Sequence, residues 1–420
     1  MNSVVKQRIA DIQRGNVPAG YRKTKCGIIP DTWSCCQPKE IFSGKSIKNN
    51  DSELPVLSVT QENGVMLRSE MDKDISYKED SVSSYKRVDI GDFVISLRSF
   101  EGGIEYSQCQ GVVSPAYTIF SHSEDVDGSF YKYYFKTDFF INKLNTAVYG
   151  IRDGKQIGFQ DFSNLFIHCP PLEEQRRIAE ILVCCDRVIA LKKELIAEKK
   201  KQKKALMQKL LNPDSGFRLP GFSGKWKKFR ISEICKIESG GTPATADEQC
   251  WNGDIFWCTP SDITNAGKYI SHTPQKITPK GLDTSSATLL PTGSVIMCSR
   301  ASIGPRCITQ VPMATNQGFK NFICSDLLYN EFWYYFIDTI LEDLYKMASG
   351  NTFKEVSKNS IATYLVTIPS NIAEQQAIAD ILSAADKEID LLEQELVQQE
   401  QKKKSLMQLL LTGIVRVQNI

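Results

Sequence analysis

The chain has 420 residues, of which 41% are hydrophobic and 24% are charged, and its formal net charge is only +2. This length suffices for two or three domains, and the composition excludes a mainly disordered chain. Residues 1–8 are polar and no run of eighteen apolar residues occurs, so the sequence predicts a cytoplasmic protein without a signal peptide or membrane span.

A first globular domain is predicted over residues 1–170, with residues 1–30 as a linking segment. Within it, the sequence from Gly91 to Arg98 predicts a turn followed by a buried strand that ends in arginine. Because a rigidly placed guanidinium can bind guanine edges or phosphates, Arg98 is a candidate DNA contact. An aromatic run follows at residues 131–135, and its spacing favours core packing over the stacking of single-stranded bases.

A long helix is predicted over residues 171–212. Pro171 stands at its start, about forty residues follow without Gly or Pro, and Asn212-Pro213 marks its end. Such a helix would be about 60 Å long. The segment carries 11 Lys and Arg against 6 Asp and Glu, which makes it the basic part of the chain.

A second globular domain is predicted over residues 213–370 and repeats features of the first. The sequence from Gly293 to Arg300 parallels Gly91 to Arg98, and residues 332–336 parallel the aromatic run at 131–135. The candidate DNA contacts here are Arg300, Arg306, Asn316, Gln317 and Lys320. For each of these side chains, as for Arg98, a structural salt bridge remains an open alternative.

A second long helix is predicted over residues 371–420, and it repeats the first at an offset of 200 residues. The stretch from Glu174 to Leu182 recurs from Glu374 to Leu382, and residues 203–208 recur at 403–408. Apolar residues recur at heptad spacing in both copies, which predicts a coiled coil. The predicted helix-pairing and partner-binding positions are Glu174, Gln175, Ile178, Leu182, Ile189, Ile196, Leu206, Glu374, Gln375, Ile378, Leu382, Ile389, Leu396 and Leu406.

The two helices are predicted to pair with each other in antiparallel orientation. The first is rich in Lys between residues 199 and 204, whereas the second carries acidic residues between 388 and 400. An antiparallel pair also places the end of the first helix beside the start of the second, so the second domain needs no long crossover. The lysine run is interpreted as a solvated helix face, with a direct DNA contact as the alternative.

Reacting groups for catalysis are missing from the sequence. The stretch Gly44-Lys45-Ser46 lacks the earlier glycine of a phosphate-binding loop, because Lys39 occupies that position. The three histidines lie far apart, no G-x-S-x-G motif occurs, and the thirteen cysteines show no C-x-x-C spacing. The sequence therefore predicts a non-catalytic chain with reduced thiols and no metal site or bound cofactor.

The repeated motifs resemble the specificity subunits of type I restriction–modification systems. The shared features are the Glu-Gln-x-x-Ile-Ala-x-Ile-Leu helix start, the Leu-Met-Gln-x-Leu-Leu helix end, and the segment from Arg218 to Trp226 before the second domain. The resemblance implies an α+β fold in which two similar α/β target-recognition domains are joined by two long antiparallel coiled-coil helices, as a tandem repeat with approximate two-fold symmetry.

The same resemblance implies that each domain reads one half of a bipartite double-stranded DNA site, while the helices set the spacing. The implied partners are two modification subunits, which methylate adenine with S-adenosylmethionine, and restriction subunits that cleave DNA with ATP and Mg²⁺. The competing hypothesis is a coiled-coil scaffold that binds proteins without DNA selectivity. A self-contained nuclease or methyltransferase is disfavoured by the missing motifs.

Overall fold

The structure is a computed structural model, and it describes residues 3–48, 53–61, 64–71, 79–96, 99–148, 157–349 and 354–417. The chain divides into two compact units. Unit 1 comprises Met1–Lys193 with Glu395–Ile420, and unit 2 comprises Glu194–Gln394. Each unit therefore contains one globular domain and a part of each long helix.

Unit 1 begins with a short helix and a succession of short strands before the first long helix. Its elements are α1 Ser3–Gln13, β1 Tyr21–Thr24, β2 Gly27–Pro30, β3 Ser34–Cys36, β4 Phe42–Lys45, β5 Leu57–Thr60, β6 Gly64–Leu67, β7 Lys86–Val88, β8 Phe93–Ile95, α2 Ser99–Gly102, β9 Glu105–Tyr106, β10 Gly111–Val113, β11 Thr118–His122, α3 Gly128–Tyr134, α4 Asp138–Val148, α5 Phe159–Ser163, β12 Ile167–Cys169 and the start of α6 Leu172–Leu210.

The main sheet of unit 1 is antiparallel, with the strand order β4-β11-β8-β9. The predicted turn and strand form as expected: Gly91 adopts a φ of 95° and residues 93–95 of β8 are fully buried. The aromatic run lies in the core, where Tyr131, Tyr134 and Phe135 are 0% exposed. Core packing is therefore confirmed as the role of these rings.

Unit 2 repeats the four-stranded main sheet of unit 1 and extends it by a fifth strand. Its elements are β13 Lys227–Arg230, α7 Ile231–Ile234, β14 Cys235–Ser239, β15 Trp251–Cys258, α8 Pro260–Ala266, β16 Tyr269–Ile270, β17 Lys276–Ile277, α9 Pro279–Asp283, β18 Val295–Cys298, β19 Arg306–Thr309, β20 Met313–Thr315, β21 Phe319–Cys324, α10 Asn330–Met347, α11 Lys358–Thr363, β22 Leu365–Ile368 and α12 Ile372–Leu411, which ends in unit 1.

The main sheet of unit 2 has the order β14-β21-β18-β19-β16, so its first four strands match β4-β11-β8-β9 of unit 1. A second sheet, β17-β15-β20, packs in the same unit. Gly293 adopts a φ of 86° before the fully buried strand β18, as Gly91 does before β8. The α+β fold and the tandem repeat predicted from the sequence are confirmed at the level of each unit.

The two long helices pair in antiparallel orientation within each unit. In unit 1, Lys192 binds Glu395 at 2.5 Å while Lys403 binds Asp186, so residue numbers rise on α6 as they fall on α12. In unit 2, Lys199 binds Glu388 at 2.6 Å. Lysines of the run therefore form ion pairs with the acidic residues of α12.

The heptad seam differs from the prediction at one position. Leu182, Ile196 and Leu210 are at most 7% exposed, whereas Leu206 is 36% exposed and Met207 packs against the core of unit 2 instead. A straight helix turns every 3.6 residues rather than every 3.5, so a strict seven-residue count drifts by one position over several turns. The assignment of Leu206 to the seam was wrong for this reason.

The expectation of reduced thiols also fails for one pair. Cys26, in the turn between β1 and β2, is joined by a disulfide to Cys35 on β3. The eleven other cysteines are free, and six of them are buried. Cysteine spacing along the sequence did not indicate this pair because the hairpin brings the two residues together.

Candidate nucleic-acid interface

Each long helix begins with a buried glutamine that binds the globular domain of its own unit. The Gln175 side-chain oxygen accepts a hydrogen bond from the Asp127 backbone N–H at 2.9 Å, and its amide donates to the Pro170 carbonyl at 2.8 Å. Gln375 likewise accepts from the Tyr329 N–H at 2.7 Å and donates to the Pro369 carbonyl at 2.8 Å. These bonds hold the start of α3 or α10 against the long helix.

The neighbouring glutamates form buried ion pairs in equivalent places. Glu174 accepts hydrogen bonds from Trp33 Nε1 at 2.8 Å and from the Arg416 guanidinium at 2.7 Å. Glu374 pairs with Arg218 at 2.7 Å. Both carboxylate side chains are less than 10% exposed, so each needs its cation to offset the loss of hydration.

Arg416 follows α12 and Arg218 follows α6. The segment after each long helix therefore supplies the cation for the buried glutamate of its unit. In unit 1, the Tyr21 hydroxyl also donates to the Gly413 carbonyl at 2.8 Å. The N-terminal linking segment and the segment after α12 are therefore joined to each other by a hydrogen bond within unit 1.

A tyrosine, an aspartate and a lysine form a matching contact in both units. Tyr133 donates to Asp186 Oδ2 at 2.6 Å, and Tyr335 donates to Asp386 Oδ2 at 2.6 Å. Lys403 and Lys203 supply the ammonium in units 1 and 2, respectively. These contacts show that Tyr133 is equivalent to Tyr335, at an offset of 202 residues. The sequence comparison had aligned residues 131–135 with 332–336, at an offset of 201, so the structure shifts that alignment by one residue.

Three of the candidate DNA contacts meet at one end of the main sheet of unit 2. Arg300, which directly follows Ser299 and is exposed, precedes Ala301, which adopts a φ of 63°. Gln317 is exposed and its side-chain oxygen accepts from the Thr242 hydroxyl, while Asn316 Oδ1 accepts from the Gly318 N–H at 2.9 Å.

The backbone around this sheet end is tightly packed. A Cβ on Gly240 would come within 1.8 Å of the Asn316 carbonyl oxygen, so only glycine fits there. The Ala301 N–H donates to the Lys354 carbonyl at 3.1 Å, which adds an exposed lysine that the sequence had not indicated. The result is a rigid surface that presents a guanidinium, an ammonium and a side-chain amide.

Two other candidates, Arg306 and Lys320, have largely buried side chains that form ion pairs within unit 2. Arg306 donates to the Tyr334 carbonyl at 2.5 Å and pairs with Asp338 at 2.7 Å, and its side chain is 9% exposed. Lys320 is 4% exposed and pairs with Glu355 at 3.0 Å. These contacts give both cations the structural role that remained open at the sequence level.

Arg98 lies outside the described residues, so the structure places no unit 1 counterpart of Arg300. Where the chain is described, no group of three or more His, Cys, Asp or Glu side chains is placed to hold a metal ion. No helix within those ranges is long and apolar enough to cross a membrane.

The sequence profile of the type I restriction modification DNA specificity domain matches the chain twice, at residues 35–200 and 223–401. The chain belongs to this specificity family. Both matches span a globular domain and the greater part of the long helix that follows it, so the family domain is the unit of the tandem repeat.

Two curated relatives of this specificity chain come from Methanocaldococcus jannaschii. The MjaIX type I restriction enzyme specificity subunit is 36% identical over 42% of this chain and 40% of its own length. The MjaVIII specificity subunit is 27% identical over 62% of this chain and 64% of its own length. The matched regions thus span less than two thirds of either relative.

The fold of this specificity chain is similar to that of a solved structure. The crystal structure of the HsdS subunit from Thermoanaerobacter tengcongensis aligns with 92% of this chain and 98% of its own, at a TM-score of 0.53 and 18% identity. At this identity the likeness concerns the fold alone.

Proposed function

We propose that this chain recognises a bipartite sequence in double-stranded DNA as the non-catalytic specificity subunit of a type I restriction–modification complex. The observation that carries the proposal is the double occurrence of the specificity domain, each copy with its own sheet and hydrophobic core. Two such domains in one chain suit two separate half-sites, because each domain can present its own side chains to base edges.

The surface at the sheet end of unit 2 supports DNA reading by that domain. An arginine binds the O6 and N7 acceptors of guanine, and a side-chain amide matches the donor and acceptor pair of adenine. Arg300 and Gln317 carry these two groups on a tightly packed backbone. Rigid placement lowers the entropic cost of binding and favours discrimination between bases.

The long helices are proposed to dock two modification subunits and to set the gap between the half-sites. Leu191 on α6 and Leu391 on α12 occupy equivalent positions and are 55% and 52% exposed. A large apolar side chain repeated on two exposed helix faces suits two copies of one partner. The 39 residues of α6 span about 58 Å, which is compatible with a role as a spacer.

The chemistry of the complex is assigned to the partners. In this proposal the modification subunits bind S-adenosylmethionine and methylate adenine, while the restriction subunits bind ATP and Mg²⁺ and cut the DNA. This chain contributes the choice of sequence.

The test is methylome sequencing of cells that carry the modification subunit with and without this chain. Adenine methylation at one bipartite motif should require the chain, and an unchanged methylome in its absence would contradict the proposal and favour the protein scaffold. Arg300→Ala should lower methylation about tenfold or relax one half of the motif, since a bidentate base contact contributes about 1–3 kcal/mol.

Arg230→Ala is the matched control for this variant, because Arg230 is also an exposed arginine of unit 2 but lies at the end of β13. It should leave both halves of the motif unchanged. An equal loss at both halves in Arg300→Ala would indicate a defect in folding or assembly and would argue against base reading by this residue.

A further inference from the structure

Unit 1 contains a polar pocket that the reading of bases does not explain. It has a volume of about 310 Å³ and opens between β9, α3 and the two long helices. Three lysines line it, Lys132, Lys136 and Lys403, together with Tyr106 and two carboxylates. We refer to it as the lysine pocket.

Two of the three ammonium groups are neutralised by the carboxylates. Lys136 forms an ion pair with Glu105, which is 4% exposed, and Lys403 forms an ion pair with Asp186. Asp186 additionally accepts the hydrogen bond from Tyr133. Both acidic side chains of the pocket are therefore already occupied by cations.

Lys132 is the cation in excess. Among the described residues it has no carboxylate within ion-pair distance, and it contacts the ring of Tyr133, whose centroid lies 5.5 Å from Nζ. Burial lowers the pKa of Lys132, and the nearby Lys403 adds to this effect, whereas Asp186 opposes it. A half-buried ammonium of this kind is stabilised when an anion enters the pocket.

The equivalent place in unit 2 contains no such excess. At the offset of 202 residues, Lys132 corresponds to Tyr334. The Arg306 guanidinium lies over the Tyr334 ring, with Cζ 4.9 Å from the ring centroid. Arg306 is neutralised by Asp338, and Lys268, which also faces this tyrosine, is neutralised by Glu331 at 3.0 Å. The uncompensated lysine is therefore particular to unit 1, although the surrounding elements are shared.

We propose that the lysine pocket of unit 1 binds a phosphate group, with Lys132 as its main ligand and the Tyr106 side chain lining the site. Lysine binds phosphate as a point charge, so the ammonium group of Lys132 does not need the bidentate geometry of an arginine. The phosphate belongs either to the DNA backbone, in which case the proposal rests on the proposed function, or to free phosphate in solution.

The first experiment titrates the full-length chain with inorganic phosphate by calorimetry at low ionic strength and pH 7. Lys132→Met should weaken phosphate binding about tenfold, because a charge-assisted contact is lost. Lys132→Arg should retain binding, which separates the role of charge from a packing defect. The matched control is Lys86→Met, since Lys86 is also a half-buried lysine of unit 1 whose pKa is lowered by burial.

The second experiment measures DNA affinity of the assembled complex against salt concentration. If the phosphate comes from DNA, Lys132→Met should reduce the salt slope by about 1 without changing the recognised sequence. Weakened binding in either experiment, with Lys86→Met unchanged, supports the pocket and identifies the source. If Lys132→Met alters neither, the proposal is overturned, whereas a complex without sequence selectivity would refute the proposed function and leave the phosphate titration valid.

Discussion

The two units share their contacts with the long helices and differ in the rest of their surfaces. Gln175 and Gln375 make the same buried hydrogen bonds, and Tyr133 and Tyr335 bind equivalent aspartates. By contrast, unit 2 extends the common four strands by β16 and adds the sheet β17-β15-β20, whereas unit 1 adds the two-stranded sheets β5-β6 and β7-β10. Packing against a common pair of helices restricts which side chains fit at these contacts, whereas the surfaces away from the helices carry no such restriction.

One contact shows how the units diverge while they keep the same geometry. In unit 1 the lysine after α3, Lys136, pairs with Glu105 on β9. In unit 2 the equivalent position on α10 is Asp338, which pairs with Arg306 on β19. The helix-to-strand ion pair is thus retained with its charges exchanged, because the attraction between the partners does not depend on which element carries which sign.

The largest effect is expected at the repeated glutamines. Gln175→Met and Gln375→Met should each lower the free energy of unfolding by about 2–3 kcal/mol, because a half-buried N–H and at least one buried carbonyl would lose their partner. Urea denaturation measures this change. A loss in only one variant would show that the two contacts, although alike in geometry, differ in energy.

Charge exchange in unit 2 is the next test. Arg306→Glu should destabilise the protein by about 2 kcal/mol, because a carboxylate at this position, where the Arg306 side chain is 9% exposed, would face the carboxylate of Asp338, whose side chain is 38% exposed. Adding Asp338→Lys should restore a large part of that loss by recreating the order of charges found in unit 1. Thermal unfolding of both variants and of Asp338→Lys alone gives the coupling energy, and no recovery would mean that the two arrangements are not interchangeable.

Acid should destabilise unit 1 more than unit 2. His168 is 2% exposed, its ring nitrogens face the Leu411 and Cys26 carbonyls, and burial lowers its pKa to about 4. The unfolded chain takes up the proton near pH 6.5, so stability present above that value is lost as the pH falls toward 4. The expected loss between pH 7 and pH 5 is about 2 kcal/mol.

Hydrogen exchange at pH 7 and pH 5 measures this difference region by region. Protection should fall around β3 and β12 of unit 1 more than around β13 and β22 of unit 2, where no histidine is present. The variant His168→Gln should remove the difference. Equal loss in both units would contradict the assignment to this histidine.

The smallest effect is expected for the tyrosine contacts. Tyr133→Phe and Tyr335→Phe should each cost about 1–2 kcal/mol, since each removes a hydrogen bond of 2.6 Å to an aspartate that keeps its lysine. Urea denaturation of the two variants provides the comparison. A larger cost for Tyr335→Phe would reflect the additional hydrogen bond that Lys268 donates to the Tyr335 hydroxyl at 3.2 Å, whereas a larger cost for Tyr133→Phe would contradict the equivalence of the two contacts.

The candidate DNA contacts show where prediction from sequence reached its limit. Arg300 and Arg306 are both arginines at the edge of a strand, yet the first is exposed and the second is covered by Tyr334 and Asp338. Lys354 was missed because it lies more than fifty residues from Arg300 and joins it through backbone pairing. Neighbours of this kind are brought together by strand pairing, so no local pattern in the sequence indicates them.

The sequence by itself determined the two long helices, their antiparallel charge pairing, the tandem repeat and the buried aromatic runs, because helix periodicity and repetition act over neighbouring residues. The tertiary structure alone decided that Met207 replaces Leu206 in the seam, that Cys26 is joined to Cys35, and that no carboxylate among the described residues pairs with Lys132. These features arise from contacts between distant segments, whose register is fixed by packing.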